Sequence, residues 1–300
     1  MSSVRPREER TTAGIVTMAL AVAFYTCIDT SAKWLNLVGM PVMQIVFFRY
    51  AGHFIYALLL YVPQEGVGAF RSNAPRLQLW RSIFLLASTV LNFIALKYLP
   101  ITITTAVSFA SPIVVTLLGI PILGEKVGIR RIVAVFVGFS GVLLVVQPWG
   151  ASFNPAIVFS LTSLISVALY FIMTRKLSGV ETNAVQQIWS SGLATVALLP
   201  FVLSSWSWPD SPTVWAVAIA IGAFGMFGHS ITAVAYRWAD ASVLAPMMYL
   251  QIFYASFAGV VIFNTWPTIW TLIGGIIIAI SGLYIWHRAR EEARLAAMLP

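Results

Sequence analysis

Residues Leu77 to Ile122 read LQLWRSIFLLASTVLNFIALKYLPITITTAVSFASPIVVTLLGIPI, and the fold is decided there. Arg81 and Lys97 are the charges in this stretch, and Lys97-Tyr98-Leu99-Pro100 cuts it into two apolar runs. Each run has the roughly 20 residues that an α-helix needs to cross the hydrocarbon of a bilayer. Pro100 lacks a backbone donor and disfavours a helical residue before it, so one helix ends and the next begins at that point. In lipid every backbone polar group must be paired within the protein, so two such runs joined by a tight turn read as a transmembrane helical hairpin.

The same punctuation by Pro, Gly, Asn and charged residues extends to both ends of the chain. It predicts about ten spans near 12–36, 41–62, 77–98, 101–122, 130–147, 155–177, 184–204, 213–236, 241–263 and 267–287. Composition agrees: 59% of the 300 residues are hydrophobic and 9% charged, and the mean hydropathy is +0.88. A water-soluble domain carries roughly a quarter charged residues, so the solvent is lipid. The net charge of +8 is spread in short clusters between apolar runs rather than along one stripe, which argues against nucleic acid as a partner. Cys27 is the single cysteine, so no intrachain disulfide forms. Segment Met1 to Thr12 is polar and lacks the apolar core of a signal peptide, so the first helix is expected to be retained.

Lysine and arginine are held on the cytoplasmic side of membrane proteins. With both termini inside, the inner ends collect Arg5, Arg7, Arg10, Arg71, Arg76, Arg81, Lys126, Arg130, Arg131, Arg175, Lys176, Arg237, Arg288, Arg290 and Arg294. Lys33 and Lys97 fall at outer ends, and Arg49 falls inside the second span. Tryptophans sort in the same way, with Trp34, Trp149, Trp206, Trp208 and Trp266 outside and Trp80, Trp238 and Trp286 inside. The fold class is therefore all-α integral membrane, with both termini cytoplasmic.

A shift of about 140 residues lays one half of the chain on the other. Ala95, Lys97 and Tyr98 fall on Ala235, Arg237 and Trp238, and Ser140-Gly141 falls on Ser281-Gly282 after a slip of one residue. Lys33 meets Arg175, and Gln44 meets Gln186. Halves of 1–150 and 151–300 thus each hold five helices. An odd number sends the second copy into the membrane from the opposite side, which makes two inverted repeats. Such a pair has two packings of similar energy, one open to each face, with a ligand held near the midplane.

At this point the chain resembles the drug/metabolite transporter superfamily, in its bacterial EamA-type branch. The resemblance rests on Asp29-Thr-Ser-Ala-Lys33-Trp34, Phe48-Arg49-Tyr50, Ala95-Leu-Lys97-Tyr98-Leu99-Pro100, Pro112, Leu123-Gly124-Glu125-Lys126, Gly138-Phe-Ser-Gly141 and Tyr170 to Lys176. The second half departs from the pattern, with Asn264-Thr265 opposite Gly124-Glu125 and Ser191 opposite Arg49. The resemblance implies a carrier in the bacterial inner membrane that exports amino acids, aromatic or neutral, or other small metabolites. Import or exchange of another metabolite is the alternative it leaves open.

Ionisable groups inside a span are costly and face a cavity or a partner. Asp29 and Arg49 are each ten residues from Gly39, so an antiparallel hairpin puts them at similar depth. They read either as an ion pair fixing two helices or as the groups that meet the ammonium and carboxylate of a zwitterion. His53 lies one turn beyond Arg49, and His229 lies midway along the eighth span; a histidine is a candidate proton relay, and coupling to protons stays open. Candidate cavity lining comes from Asn92, Ser108, Ser111, Tyr170, Gln186, Trp189, Tyr249, Gln251 and Tyr254, which interrupt apolar runs and can equally glue helices together. Pro112 and Pro246 are candidate hinges. Gly222, Gly225 and Gly228, with Gly138 and Gly141, offer small surfaces for close helix contact.

No Gly-rich phosphate loop, metal-ligand cluster or Gly-x-Ser-x-Gly elbow is present, so the sequence reads as a carrier without cofactor or metal rather than a pump or an enzyme. A channel would need a continuous pore, which an inverted repeat around a gated site does not favour.

Overall fold

The computed structural model describes residues 11–123, 129–147, 153–177, 180–238 and 245–298. Among them every regular element is helical. Helix α1 spans Thr11–Leu37 and α2 Val42–Glu65. The turn between them needs Gly39 at φ +90°, a conformation open to glycine without strain. A 3₁₀ turn, Gly66–Phe70, leads to α3, Pro75–Tyr98, with proline in its first turn. Helices α4 (Ile101–Ser108), α5 (Ser111–Leu123), α6 (Ile129–Val146) and α7 (Ile157–Leu177) follow. Then come α8 (Asn183–Ser204), α9 (Pro212–Trp238), a 3₁₀ segment Ala245–Leu250, α10 (Gln251–Phe263) and α11 (Ile269–Met298).

Among the described residues seven apolar stretches are long enough to cross a membrane, and Val133–Val145, Met247–Phe263 and Ile269–Tyr284 are shorter apolar helices. Two of the expected spans are not single helices. The span at 101–122 breaks at Phe109 and Ala110, between α4 and α5. Pro112 sits in the first turn of α5, where its missing N–H costs least, so the chain restarts a helix there instead of bending one. The span at 241–263 enters α10 through the 3₁₀ segment, which contains Pro246. The residues before Ala245, like Glu125, lie outside the described residues.

Helices pack across the two halves of the sequence. Helix α1 lies along α9, α3 along α7, α2 along α8 and α9, and α6 along α11. The central core is built by Leu35, Ile45, Tyr50, Phe93, Leu96, Ile101, Leu198 and Ile221, all buried. Outward positions carry the opposite signal: Leu59, Phe136, Leu203, Phe253 and Phe257 are large, apolar and more than half exposed, as lipid contact requires.

Two crossings bring backbones together. A Cβ added to Gly222 would lie 2.7 Å from Gly52 Cα, and one added to Gly274 would lie 2.6 Å from the Gly141 carbonyl oxygen. Association in lipid rests on such close packing because no hydrophobic force operates between helices. Gly222→Ala is therefore expected to destabilise the protein by about 1–3 kcal/mol. Gly275→Ala, where an added Cβ meets nothing within 4 Å, is expected to be neutral. Thermal unfolding of both variants in detergent checks the contrast.

Candidate functional site

Asp29, on the inner face of α1, accepts hydrogen bonds from Asn92 Nδ2 of α3 at 3.0 Å and Gln251 Nε2 of α10 at 3.4 Å. Gln251 opens α10 directly after the 3₁₀ segment, so the interruption of that helix presents its amide to the carboxylate. Asp29 is partly accessible.

Arg49 is 7% exposed on α2. Its Nη1 donates to Thr89 Oγ1 at 3.2 Å, and its guanidinium lies 4.6 Å from the Tyr50 ring centre. Tyr50 in turn holds Thr89 at 2.8 Å and donates to the Leu85 carbonyl. Arg49 Nε is buried without a hydrogen-bond partner. Asp29 and Arg49 bond α3 three residues apart, at Asn92 and Thr89; each has separate partners and no direct ion pair joins them.

One turn along α2, His53 stacks on His229 of α9, with ring centres 5.6 Å apart. Gln187 of α8 stands beside the His53 ring, yet His53 Nε2 is buried with no hydrogen-bond partner. His229 is held from α1 by Tyr25, whose hydroxyl is 3.5 Å from Nδ1 and 2.7 Å from Thr232 Oγ1. Like Asp29, His229 is partly accessible.

Arg81, one of the positive residues expected at an inner end, is 4% exposed. Its Nε donates to Thr174 Oγ1 at 2.8 Å, Nη1 to Ser190 Oγ at 2.6 Å and to the Gln186 carbonyl at 3.2 Å, and Nη2 to Tyr170 Oη at 2.9 Å. The signal was present in the sequence. Arg81, Ser88 and Asn92 recur at i, i+7 and i+11, so they share one face of α3.

Other candidates lie elsewhere. Ser108 and Ser111 bond carbonyls of their own segment, Thr104 and Ser108. Tyr249 stands edge-on to Phe109, with ring centres 5.2 Å apart, so the interruptions in the two halves touch. Trp189 donates to the Phe70 carbonyl at 3.0 Å and lines an open apolar crevice with Phe54, Ile188 and Leu193, away from the polar centre. Gln186 reaches the centre through its carbonyl, and Tyr254 is half-buried on α10. The side chains of Pro112 and Pro246 lie outside the described residues. No group of three metal-ligating side chains occurs among the described residues.

At one end of the bundle, segments 66–74 and 180–183 are tied together. Glu181 Oε1 accepts from the Ser72 hydroxyl and, at 3.0 Å, from the Ala74 N–H ahead of α3. Asn73 Nδ2 donates to the Val180 carbonyl, Thr182 Oγ1 to Glu65 and Asn183 Nδ2 to Tyr61. At the opposite end Gln44 and Ser207 exchange two hydrogen bonds, and Trp206, Trp208, Trp215 and Phe48 cluster over them.

Apolar helices enclosing a charged and hydrogen-bonded centre define a multi-pass membrane protein with an internal polar site. The EamA-like transporter family model matches residues 12–147 and 154–286, and the chain belongs to that family. An S-adenosylmethionine uptake transporter of Rickettsia prowazekii (strain Madrid E) is 28% identical, over 93% of this chain and 94% of its own. A riboflavin transporter of Brucella anthropi is 28% identical, over 93% and 100%. The pseudopaline exporter CntI of Pseudomonas aeruginosa is 25% identical, over 89% and 94%. These relatives are named as transporters, not enzymes. A solved crystal structure with 17% identity shares the fold, with a TM-score of 0.60 over 92% of this chain and 95% of the other.

The Glu181 tie lends itself to direct measurement. A charge-assisted hydrogen bond contributes about 1.5–3 kcal/mol, so Glu181→Ala is expected to speed amide exchange of residues 72–76 by about tenfold or more. Hydrogen exchange read by mass spectrometry checks it, and unchanged protection of that peptide would mean that Glu181 does not hold the segment.

Proposed function

We propose that the chain is a secondary transporter that moves a small metabolite across a bacterial inner membrane by alternating access. The carrying observation is the enclosed polar centre, in which α1 and α3 of the first half and α10 of the second hold one carboxylate between them. The full bundle reads as ten spans in two inverted repeats. The paired packing of α1 with α9 and of α3 with α7 supports that reading, because inversion of one half exchanges these two contacts. So do the helix breaks, since Phe109 and Ala110 fall on Tyr249 and Leu250 under the shift of about 140 residues. Interrupted helices in matching positions are the usual mark of a transporter site. The lysine and arginine distribution puts both termini in the cytoplasm.

Asp29 and Arg49 are anchored to α3 at Asn92 and Thr89, three residues or about 4.5 Å apart along the helix axis. Asp29 offers acceptors to an ammonium and Arg49 donors to a carboxylate, the two charged groups of an amino acid, the cargo class that the resemblance first suggested. His53 and His229 complete the site, with a proton as one coupling ion that they are placed to serve. Relatives are named for uptake and for export, so direction follows from neither.

Counterflow in proteoliposomes, with amino acids and larger metabolites as labelled cargo, tests the assignment. Saturable exchange is expected for at least one cargo, reduced about tenfold or more in Asp29→Asn at unchanged folding. Passive, unsaturable flux would indicate a channel, and wild-type exchange by Asp29→Asn would remove Asp29 from the site.

A further inference from the structure

Beyond the carrier reading, we propose that the apolar crevice beside α8 is a binding site for one anionic phospholipid, which lays an acyl chain along α8 and sets its phosphate at Arg71 and Arg76.

The crevice starts from a missing side chain. Gly192 of α8 lets the Phe54 ring of α2 lie against the helix, since a Cβ added there would stand 2.9 Å from Phe54 Cε2. Trp189, Leu193, Val196 and Ala197 follow one another at the four-, seven- and eight-residue steps that keep to one face of α8. Phe70 of the 3₁₀ turn joins them at the Trp189 end, where its carbonyl takes the indole N–H. The recess holds about 540 Å³, within the roughly 300–1,000 Å³ of small-molecule sites.

The lining selects the occupant. Its side chains are apolar, and the one N–H among them, that of Trp189, is engaged by Phe70 at 3.0 Å. They offer a polar molecule no partner, and apolar recesses of this kind do not hold water. Val196 is 67% exposed and Phe70 44%, so the recess opens sideways to the lipid tails. From Trp189 to Ala197 the helix rises eight residues, about 12 Å, away from the 3₁₀ turn and into the bilayer. An acyl chain entering from the end of the bundle lies in that direction.

Charge marks the headgroup end. Arg71 directly follows Phe70, Arg76 is the second residue of α3, and both are exposed. Among the described residues the ion pairs are those of Glu291 with His287 and Arg288, so no carboxylate pairs with either guanidinium. The acids of this end turn to the loop tie instead, Glu65 to Thr182 and Glu181 to Ser72 and the Ala74 N–H. Trp80, one turn beyond Arg76 and 54% exposed, stands where tryptophans mark the headgroup level. On the orientation proposed above this is the cytoplasmic leaflet, whose anionic lipids attract basic segments. An arginine fork engages a phosphate through paired N–H donors.

Native mass spectrometry of the full chain in detergent, titrated with dioleoyl phosphatidylglycerol or dioleoyl phosphatidylcholine, tests the site. Phosphatidylglycerol is expected to bind about tenfold or more tightly than phosphatidylcholine. Val196→Trp fills the crevice from an exposed position and should weaken phosphatidylglycerol about tenfold, and Ala197→Phe, also exposed, serves the same purpose should the first variant misfold. Val261→Trp, at a valine 63% exposed on α10, should change nothing. Arg71→Gln combined with Arg76→Gln should bring phosphatidylglycerol down to the level of phosphatidylcholine. Equal binding of the two lipids by the wild type, undiminished phosphatidylglycerol binding by the crevice-filled variants, or a preference that survives loss of both arginines overturns the proposal. Transport does not enter the readout, so failure of the lipid site leaves the carrier assignment untouched.

Discussion

In hydrocarbon a polar atom has no solvent to fall back on, and this single constraint orders the whole molecule. Helices satisfy the backbone. Most hydroxyls then satisfy themselves by bonding one turn back: Thr26 to Val22, Ser82 to Gln78, Ser166 to Thr162, Ser191 to Gln187 and Thr195 to Ser191. Side chains too long or too charged for that escape must meet one another inside. Asp29, Asn92, Gln251, Arg49, Arg81 and the two histidines are those side chains.

The same constraint separates what the sequence could disclose from what it could not. Span lengths and the hairpin at Lys97 to Pro100 follow from counting apolar residues, and the structure ends α3 and starts α4 at that point. The expected equal depth of Asp29 and Arg49 follows from counting outward from Gly39. Their partners do not, because contacts over 63 and 222 residues of separation depend on how the helices are arranged. The interruptions of two spans were hidden as well. A proline in an apolar run is compatible with a kink, a break or a fresh start, and packing chooses between them.

Charges near the ends of apolar runs do more than mark an interface. Lys33 resembles an interface residue, yet it is buried and its Nζ donates to the carbonyls of Leu96 and Leu99, at 3.1 and 2.8 Å. It closes the C-terminus of α3, whose last carbonyls have no helical partner. Asn36 adds a bond to the Phe93 carbonyl from the same face of α1. Arg81 is buried too, with its bonds going to side chains and a carbonyl of α7 and α8 rather than to the end of a helix. Trp189, which interrupts an apolar run in the same way, contributes its ring to the apolar crevice beside Phe54 and Leu193.

The glycine crossings carry a last implication. Gly52 with Gly222, and Gly141 with Gly274, each join a helix from before residue 150 to one from after it. Backbones in van der Waals contact cannot slide past one another without first separating. The two crossings therefore act as rivets, one fastening α2 to α9 and the other α6 to α11, so that each pair holds its register as a unit.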